Sequence, residues 1–186
     1  MANRLNTEDA KNRVQPRQRK DRVNKALVLE TLMKFRLVIN SAKRHYSWVE
    51  KQCGVSGAQM WLLWELSESP GMRASDLASA MAIHQSTVSN LLDRLESEGL
   101  IKRDRSSEDR RVVTLFLTQS GAALVKRAPQ PACGILPDAL RRLDPLVLQS
   151  LESHLEKLLG VMNSVDIKSL KKPLADTFLA HRDKPR

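Results

Sequence analysis

Residues 102–111 read KRDRSSEDRR, and within them Lys102, Arg103, Arg105, Arg110 and Arg111 surround Glu108, Asp109 and Asp104. Cations at this density either form a solvated loop or reach for an anion such as a phosphate. Just upstream, Gln85, Ser86, Thr87, Ser89 and Asn90 are short hydrogen-bonding side chains on the polar side of an apolar-periodic stretch. Gln and Asn can pair with two atoms of an adenine edge, and Ser and Thr can bond a base or a phosphate. Arg94, one helical turn further on, is placed for a phosphate. The plainer alternative for this set is a polar helix face in water.

The rest of the chain sets few competing chemistries. His45, His84, His154 and His181 lack metal-ligand spacing, and neither a Gly-rich phosphate loop nor a nucleophile elbow is present, so no enzyme and no metal site is expected. The 186 residues carry a formal net charge of +10, which favours an anionic partner, nucleic acid first and anionic lipid second. Aromatic residues make up 4% of the chain, which argues against a stacking-rich carbohydrate face. No run of about 18 apolar residues occurs, and no apolar segment follows the N-terminal charges, so neither a membrane span nor a secretory signal is expected. Cys53 and Cys133 stand alone without CxxC spacing, which fits free thiols and a cytoplasmic setting.

These residues need elements to position them. Residues 1–25 hold Arg4, Lys11, Arg13, Arg17, Arg19, Lys20, Arg22 and Lys25 against Glu8, Asp9 and Asp21, with sparse apolar residues. They are read as a mobile basic arm that touches DNA backbone or simply solubilises. From Leu27 the pattern turns helical, with Leu32, Phe35, Ile39, Ala42, Tyr46 and Val49 at three- and four-residue spacing, until about Cys53 and Gly54. GAQMWLLWELSES and ASDLASAMA predict two further helices, and QSTVSNLLDRLESEG a fourth with Val88, Leu91, Leu92 and Leu95 inward. Gly99 followed by Leu100 predicts a Schellman ending. Ile101–Arg105 and RVVTLFLT predict a hairpin with its tip at SSED. A helix from TQSGAALVKRA is expected to break in the proline cluster Pro129–Pro137. A leucine-striped helix should then start from an Asp144 cap with Pro145 at its first position.

The predicted fold class is therefore mainly α with a small β-wing: a winged helix-turn-helix domain plus a helical dimerisation region built from N- and C-terminal helices. The expected boundaries are a basic arm over 1–25, a dimerisation region over 26–54 and 119–165, a DNA-binding domain over 55–118, and a C-terminal helix or tail over 166–186. The terminal helices carry apolar stripes larger than a compact winged helix buries alone, which calls for a second subunit.

At this point LESEGLIKRDRSSEDRRVVTLFLTQSG, residues 95–121, resembles the signature of the MarR family, and STVSNLLDRLESEGL is similar to that family's recognition helix. VSGAQMWLLWEL looks like its second helix. The resemblance covers roughly residues 27–165; the basic arm, the proline cluster and the tail depart from it. It implies a homodimeric regulator of bacterial transcription, cytoplasmic and nucleoid-associated, most often a repressor. Such a protein binds a pseudo-palindromic operator in double-stranded DNA and is released by a small aromatic or N-heteroaromatic carboxylic acid. A subset of the family senses oxidants through cysteine, and an architectural DNA binder without an effector is the other alternative. By the same resemblance Arg111 enters the minor groove, Asp109 braces it, and Lys102, Arg103, Arg105 and Arg110 flank it at phosphates. The family's effector pocket would draw on Arg36, His45, Tyr46, Trp48, Trp61 and Trp64, an aromatic wall with a cation or imidazole for a carboxylate.

Overall fold

The structure is a computed structural model that describes residues 16–105, 112–162 and 172–173, with side chains from residue 24 onward. Among the described residues, seven helices and two strands follow in the order α1 Pro16–Cys53, α2 Gly57–Glu68, α3 Ala74–Ala80, α4 Gln85–Ser97, β1 Ile101–Arg105, β2 Val113–Leu117, α5 Gln119–Arg127, α6 Ile135–Arg141 and α7 Pro145–Val161. The expected arm is corrected here: helix begins at Pro16, not after residue 25. Proline's fixed φ suits the first position of a helix, and the Arg, Gln and Lys that follow are good helix formers. Residues 1–15 and most of the expected tail lie outside the described residues.

The chain divides into two units, Met1–Asn40 and Ser41–Arg186. In the first, α1 presents Leu27, Leu32, Phe35 and Ile39 as exposed side chains. In the second, the same stripe continues as Ala42, Tyr46 and Val49 and is buried there. That core is completed by Leu62, Leu63 and Leu66 of α2, Leu77 of α3, and Val88, Leu91, Leu92 and Leu95 of α4. Ile101 of β1, Leu115 of β2 and Leu124 of α5 close it. The apolar faces expected for α2 and α4 are the buried ones.

Local chemistry sets the element ends. Ser56 opens α2 with a capping box: its side chain accepts from the Gln59 N–H at 3.2 Å, and the Gln59 side chain accepts from the Ser56 N–H at 2.8 Å. Asp144 caps α7 by accepting from the Leu146 N–H at 2.9 Å, with Pro145 next, as expected. The proline cluster separates α5 from α6, and Pro137 is accommodated in the first turn of α6, where its missing N–H has no partner to lose. β1 and β2 pair antiparallel with Ile101 opposite Leu117 and Arg105 opposite Val113. Leu115 also exchanges backbone bonds with Gly71 and Met72, at 2.9 and 3.0 Å, which ties the hairpin to the segment after α2.

Helix α7 is different from the others in this unit. None of its 17 residues is buried, although Leu148, Leu151, Leu155, Leu158 and Leu159 form an apolar stripe.

Candidate nucleic-acid interface

The interface is built on the end of α4. Helix α4 terminates at Glu98, Gly99 takes φ +67°, the Leu100 N–H bonds the Leu95 carbonyl and the Gly99 N–H bonds the Glu96 carbonyl, each at 2.9 Å. This is the Schellman pattern, and it turns the chain straight into β1. Thr118, at the end of the hairpin, then returns to the same turn. Its hydroxyl donates to the Gly99 carbonyl at 2.7 Å, its N–H bonds the Leu100 carbonyl at 3.0 Å, and its Oγ1 accepts from the Gly121 N–H at 3.1 Å as the cap of α5. A Cβ on Gly121 would stand 2.0 Å from the Leu100 carbonyl oxygen, so only glycine allows this approach. Gly99, Leu100, Thr118 and Gly121 thus lock the end of α4, the base of the hairpin and the start of α5 into one junction. The residue types of the signature have a mechanical reason.

On α4 itself, Gln85, Ser86, Asn90 and Arg94 are exposed, and Thr87 and Ser89 are half-buried. The Ser89 hydroxyl donates to the Gln85 carbonyl at 3.0 Å. The four leucine and valine positions point the opposite way into the core. The polar set is thereby presented as one face, with hydrogen-bonding groups close enough to the backbone to let a helix enter a groove.

Arg103 stands differently from its neighbours. Its guanidinium reaches Asp93 at 2.6 Å and Glu96 at 3.2 Å, two carboxylates one turn apart on α4. Sequence reading placed Arg103 at a phosphate and gave no part to Asp93 or Glu96. Their three-residue spacing on the recognition helix was the available signal. Arg94 and Arg105 are exposed and form no ion pair with another described residue. A groove of about 580 Å³ between α4 and the hairpin is lined by Ser89, Asp93, Glu96, Arg103 and Arg105. Lys102 lies over the Phe116 ring at 5.9 Å. Asp109, Arg110 and Arg111, the expected wing-tip residues, lie outside the described residues.

The six positions expected around an effector fall in both units. Arg36 is exposed in the first unit. In the second unit His45 is buried and its Nε2–H donates to the Pro131 carbonyl at 3.0 Å; burial holds its pKa below the usual imidazole value, opposed by that hydrogen bond. Tyr46 is buried between two glycines: a Cβ on Gly57 would lie 2.3 Å from its ring, and one on Gly134 would lie 3.0 Å from it. Desolvation pushes the Tyr46 phenol up to about 12. Trp48 is exposed and edge-on to His45. The Trp61 indole N–H donates to Glu65 at 2.8 Å, Glu65 also pairs with Arg141 of α6 at 2.8 Å, and Arg141 lies over the Trp64 ring at 4.5 Å. Of the six, Trp61 alone borders a described cavity near α6. Burial raises the thiol pKa of both Cys53 and Cys133.

The model of the MarR family matches residues 55–113. The HTH-type transcriptional repressor MdtR of Bacillus subtilis (strain 168) is 40% identical over 73 residues, 39% of this chain and 46% of that protein. The chain thus spans about half the length of MdtR, and 65% of a second regulator from the same organism, YfiV. The homoprotocatechuate degradative operon repressor of Escherichia coli is 27% identical over 128 residues, 67% of this chain and 84% of that protein. Among solved structures, the S. aureus MepR–DNA complex is similar at 25% identity and a TM-score of 0.50, over 70% of this chain and 96% of that one.

Proposed function

We propose that this chain, a MarR-family protein through its winged helix-turn-helix at residues 55–113, is a transcriptional repressor that binds a pseudo-palindromic operator as a homodimer and leaves it when a small aromatic acid binds. The observation that carries the DNA-binding reading is the exposed polar face of α4, held by the Gly99–Thr118–Gly121 junction at a fixed angle to a basic hairpin. A similar solved protein, MepR, is described in complex with DNA. In this reading Gln85, Ser86, Thr87, Ser89 and Asn90 meet base edges and phosphates in the major groove. Arg94, Arg105 and Arg110 meet phosphates, and Arg111, oriented by Asp109, enters the minor groove, where a narrow A·T-rich segment attracts a guanidinium. Arg103 serves as a brace between α4 and β1.

Dimerisation is supported by α7, whose leucine stripe is unburied in its own chain, and by the exposed apolar residues of α1 from Leu27 to Ile39. The name of the E. coli relative, a repressor of an aromatic-acid degradative operon, supports the effector class. The raised thiols of Cys53 and Cys133 favour this ligand-released reading over a redox one. The setting is cytoplasmic, on the nucleoid.

Footprinting on fragments selected from random DNA tests the reading. The expected result is two half-sites about one helical turn, roughly 34 Å, apart. A single asymmetric half-site refutes the dimeric operator, and equal affinity for competitor DNA identifies an architectural protein instead.

A further inference from the structure

The first unit holds a run of charge that the winged helix-turn-helix does not use. Residues 1–25 carry eight cations against three carboxylates, which leaves +5 of the chain's +10 in this short stretch. Five of those cations, Arg17, Arg19, Lys20, Arg22 and Lys25, fall within the first ten residues of α1, with Asp21 as the one acid among them. The run lies outside residues 55–113, which the family model matches.

This end of α1 is charged against the grain of a helix. The N-terminal end of a helix dipole favours carboxylates and disfavours cations, yet the first turn of α1 contains no acid. Arg17 and Lys20, Arg19 and Arg22, and Arg22 and Lys25 each stand three residues apart, a spacing at which like charges repel. Val23 is the one large apolar residue among residues 16–25, so the run has no stripe of its own to pack. A polyanion relieves both the repulsion and the conflict with the dipole.

We propose that residues 16–25 of α1 grip the phosphate backbone of duplex DNA without reading its sequence, as an anchor additional to the winged helix-turn-helix. The inference rests on the DNA-binding reading given above. Ten helical residues span about 15 Å, and over that length one strand of a duplex presents about four or five phosphates. Five cations are commensurate with that row, and three of them are arginines, whose planar fork suits phosphate oxygens. A helix lying in a membrane surface needs Trp, Phe or Leu in the same turns, and residues 16–25 have none of these. DNA engaged by α4 also offers its phosphates to a tethered anchor at high effective concentration.

The test uses the full-length protein and two labelled duplexes of equal length, one with the selected operator at its centre and one of random sequence. Replacing Arg17, Arg19, Lys20 and Arg22 together by Gln keeps good helix formers. This variant should bind both duplexes at least about tenfold more weakly and leave the ratio between them unchanged. Its slope of log affinity against log salt should be shallower by at least about 1.8, the value for one phosphate per protomer of a dimer. Arg17→Glu with Arg19→Glu places acids where the dipole favours them. Its helical circular dichroism should hold or rise while its affinity for both duplexes still falls at least about tenfold. Wild-type affinity and slope in these variants, or a loss confined to the operator, overturns the anchor. Cosedimentation with phosphatidylcholine–phosphatidylserine vesicles that the Gln variant loses, with its DNA slope unchanged, assigns the run to a membrane instead. The expected variant effects in a protein that prefers no sequence support the anchor and overturn the operator reading alone.

Discussion

Arg103 and Arg94 have the same side chain, and the structure gives them different surroundings. Arg103 is held by two carboxylates, whereas Arg94 is exposed without an ion pair to a described residue. Replacing Arg103 by Ala removes two ion pairs whose arginine side chain is 35% exposed and whose Asp93 is 63% exposed, so solvent screens them. The fold should lose no more than about 1 kcal/mol per pair, and the melting temperature should fall by a few degrees at most. Operator affinity should fall more, because the hairpin loses its tie to α4 in both protomers. A misplacement costing about 0.7–1.4 kcal/mol per wing lowers affinity roughly tenfold to a hundredfold.

Affinity alone does not distinguish a brace from a phosphate contact, but its salt dependence does. Each phosphate contact contributes about 0.9 to the slope of log affinity against log salt. Arg94→Ala in a dimer removes two contacts, so the slope becomes shallower by about 1.8 and the variant's deficit shrinks roughly tenfold between about 50 and about 200 mM salt. Arg103→Ala should keep the wild-type slope, with a deficit that stays constant across the same range. Fluorescence anisotropy on a labelled operator at four salt concentrations reads both variants side by side. A slope for Arg103→Ala as shallow as that for Arg94→Ala would show the guanidinium leaving Asp93 and Glu96 to neutralise phosphate, and would refute the brace.

Other consequences are equally direct. Leu151→Glu with Leu155→Glu should convert a dimer into a monomer in sedimentation, since these leucines belong to a helix with no fully buried residue; an unchanged mass would place the dimer contact elsewhere. Gly121→Ala should destabilise the protein by about 1–3 kcal/mol in urea unfolding, because its Cβ would meet the Leu100 carbonyl at 2.0 Å. Wild-type stability would contradict the junction. His45 has a folded pKa below its unfolded one, so its neutral form supports the fold above about pH 6.5, and this contribution is lost as pH falls below that value. Urea midpoints from pH 8 to pH 5 should drop less in His45→Gln, which keeps a donor for Pro131, and an identical drop would remove His45 as the cause.

The winged helix-turn-helix was legible because its determinants are local. The face of α4 follows from a 3.6-residue period, the Schellman end from Gly99 and Leu100, and the α7 cap from Asp144 and Pro145. The surroundings of the residues expected around an effector were not legible, because residues far apart in the chain decide them. Nothing near His45 and Tyr46 announces that the Pro131 carbonyl will accept the imidazole N–H or that Gly57 and Gly134 will enclose the phenol ring. The ion pairs of Arg103 were hidden for a related reason: a basic residue in a basic hairpin gives no sign that Asp93 and Glu96 will stand beside it.

The same junction that makes the interface limits how a signal can reach it. Thr118 and Gly121 fasten the hairpin base and α5 to the end of α4, and Arg103 adds a second fastening along β1. Motion of the wing relative to α4 would break several of these bonds at once, so it is the expensive route. The turn at Met81–Ile83 carries no such fastening to the hairpin, and its backbone bonds run back into α3, from Met81 to Leu77 and from Ile83 to Ala78. A displacement of that turn would carry α4 and the hairpin together as one body. In the proposed dimer such a displacement would change the spacing of two intact heads rather than dismantle either one. An effector acting through that turn should therefore abolish binding to a properly spaced palindrome while leaving the weak affinity for an isolated half-site nearly unchanged.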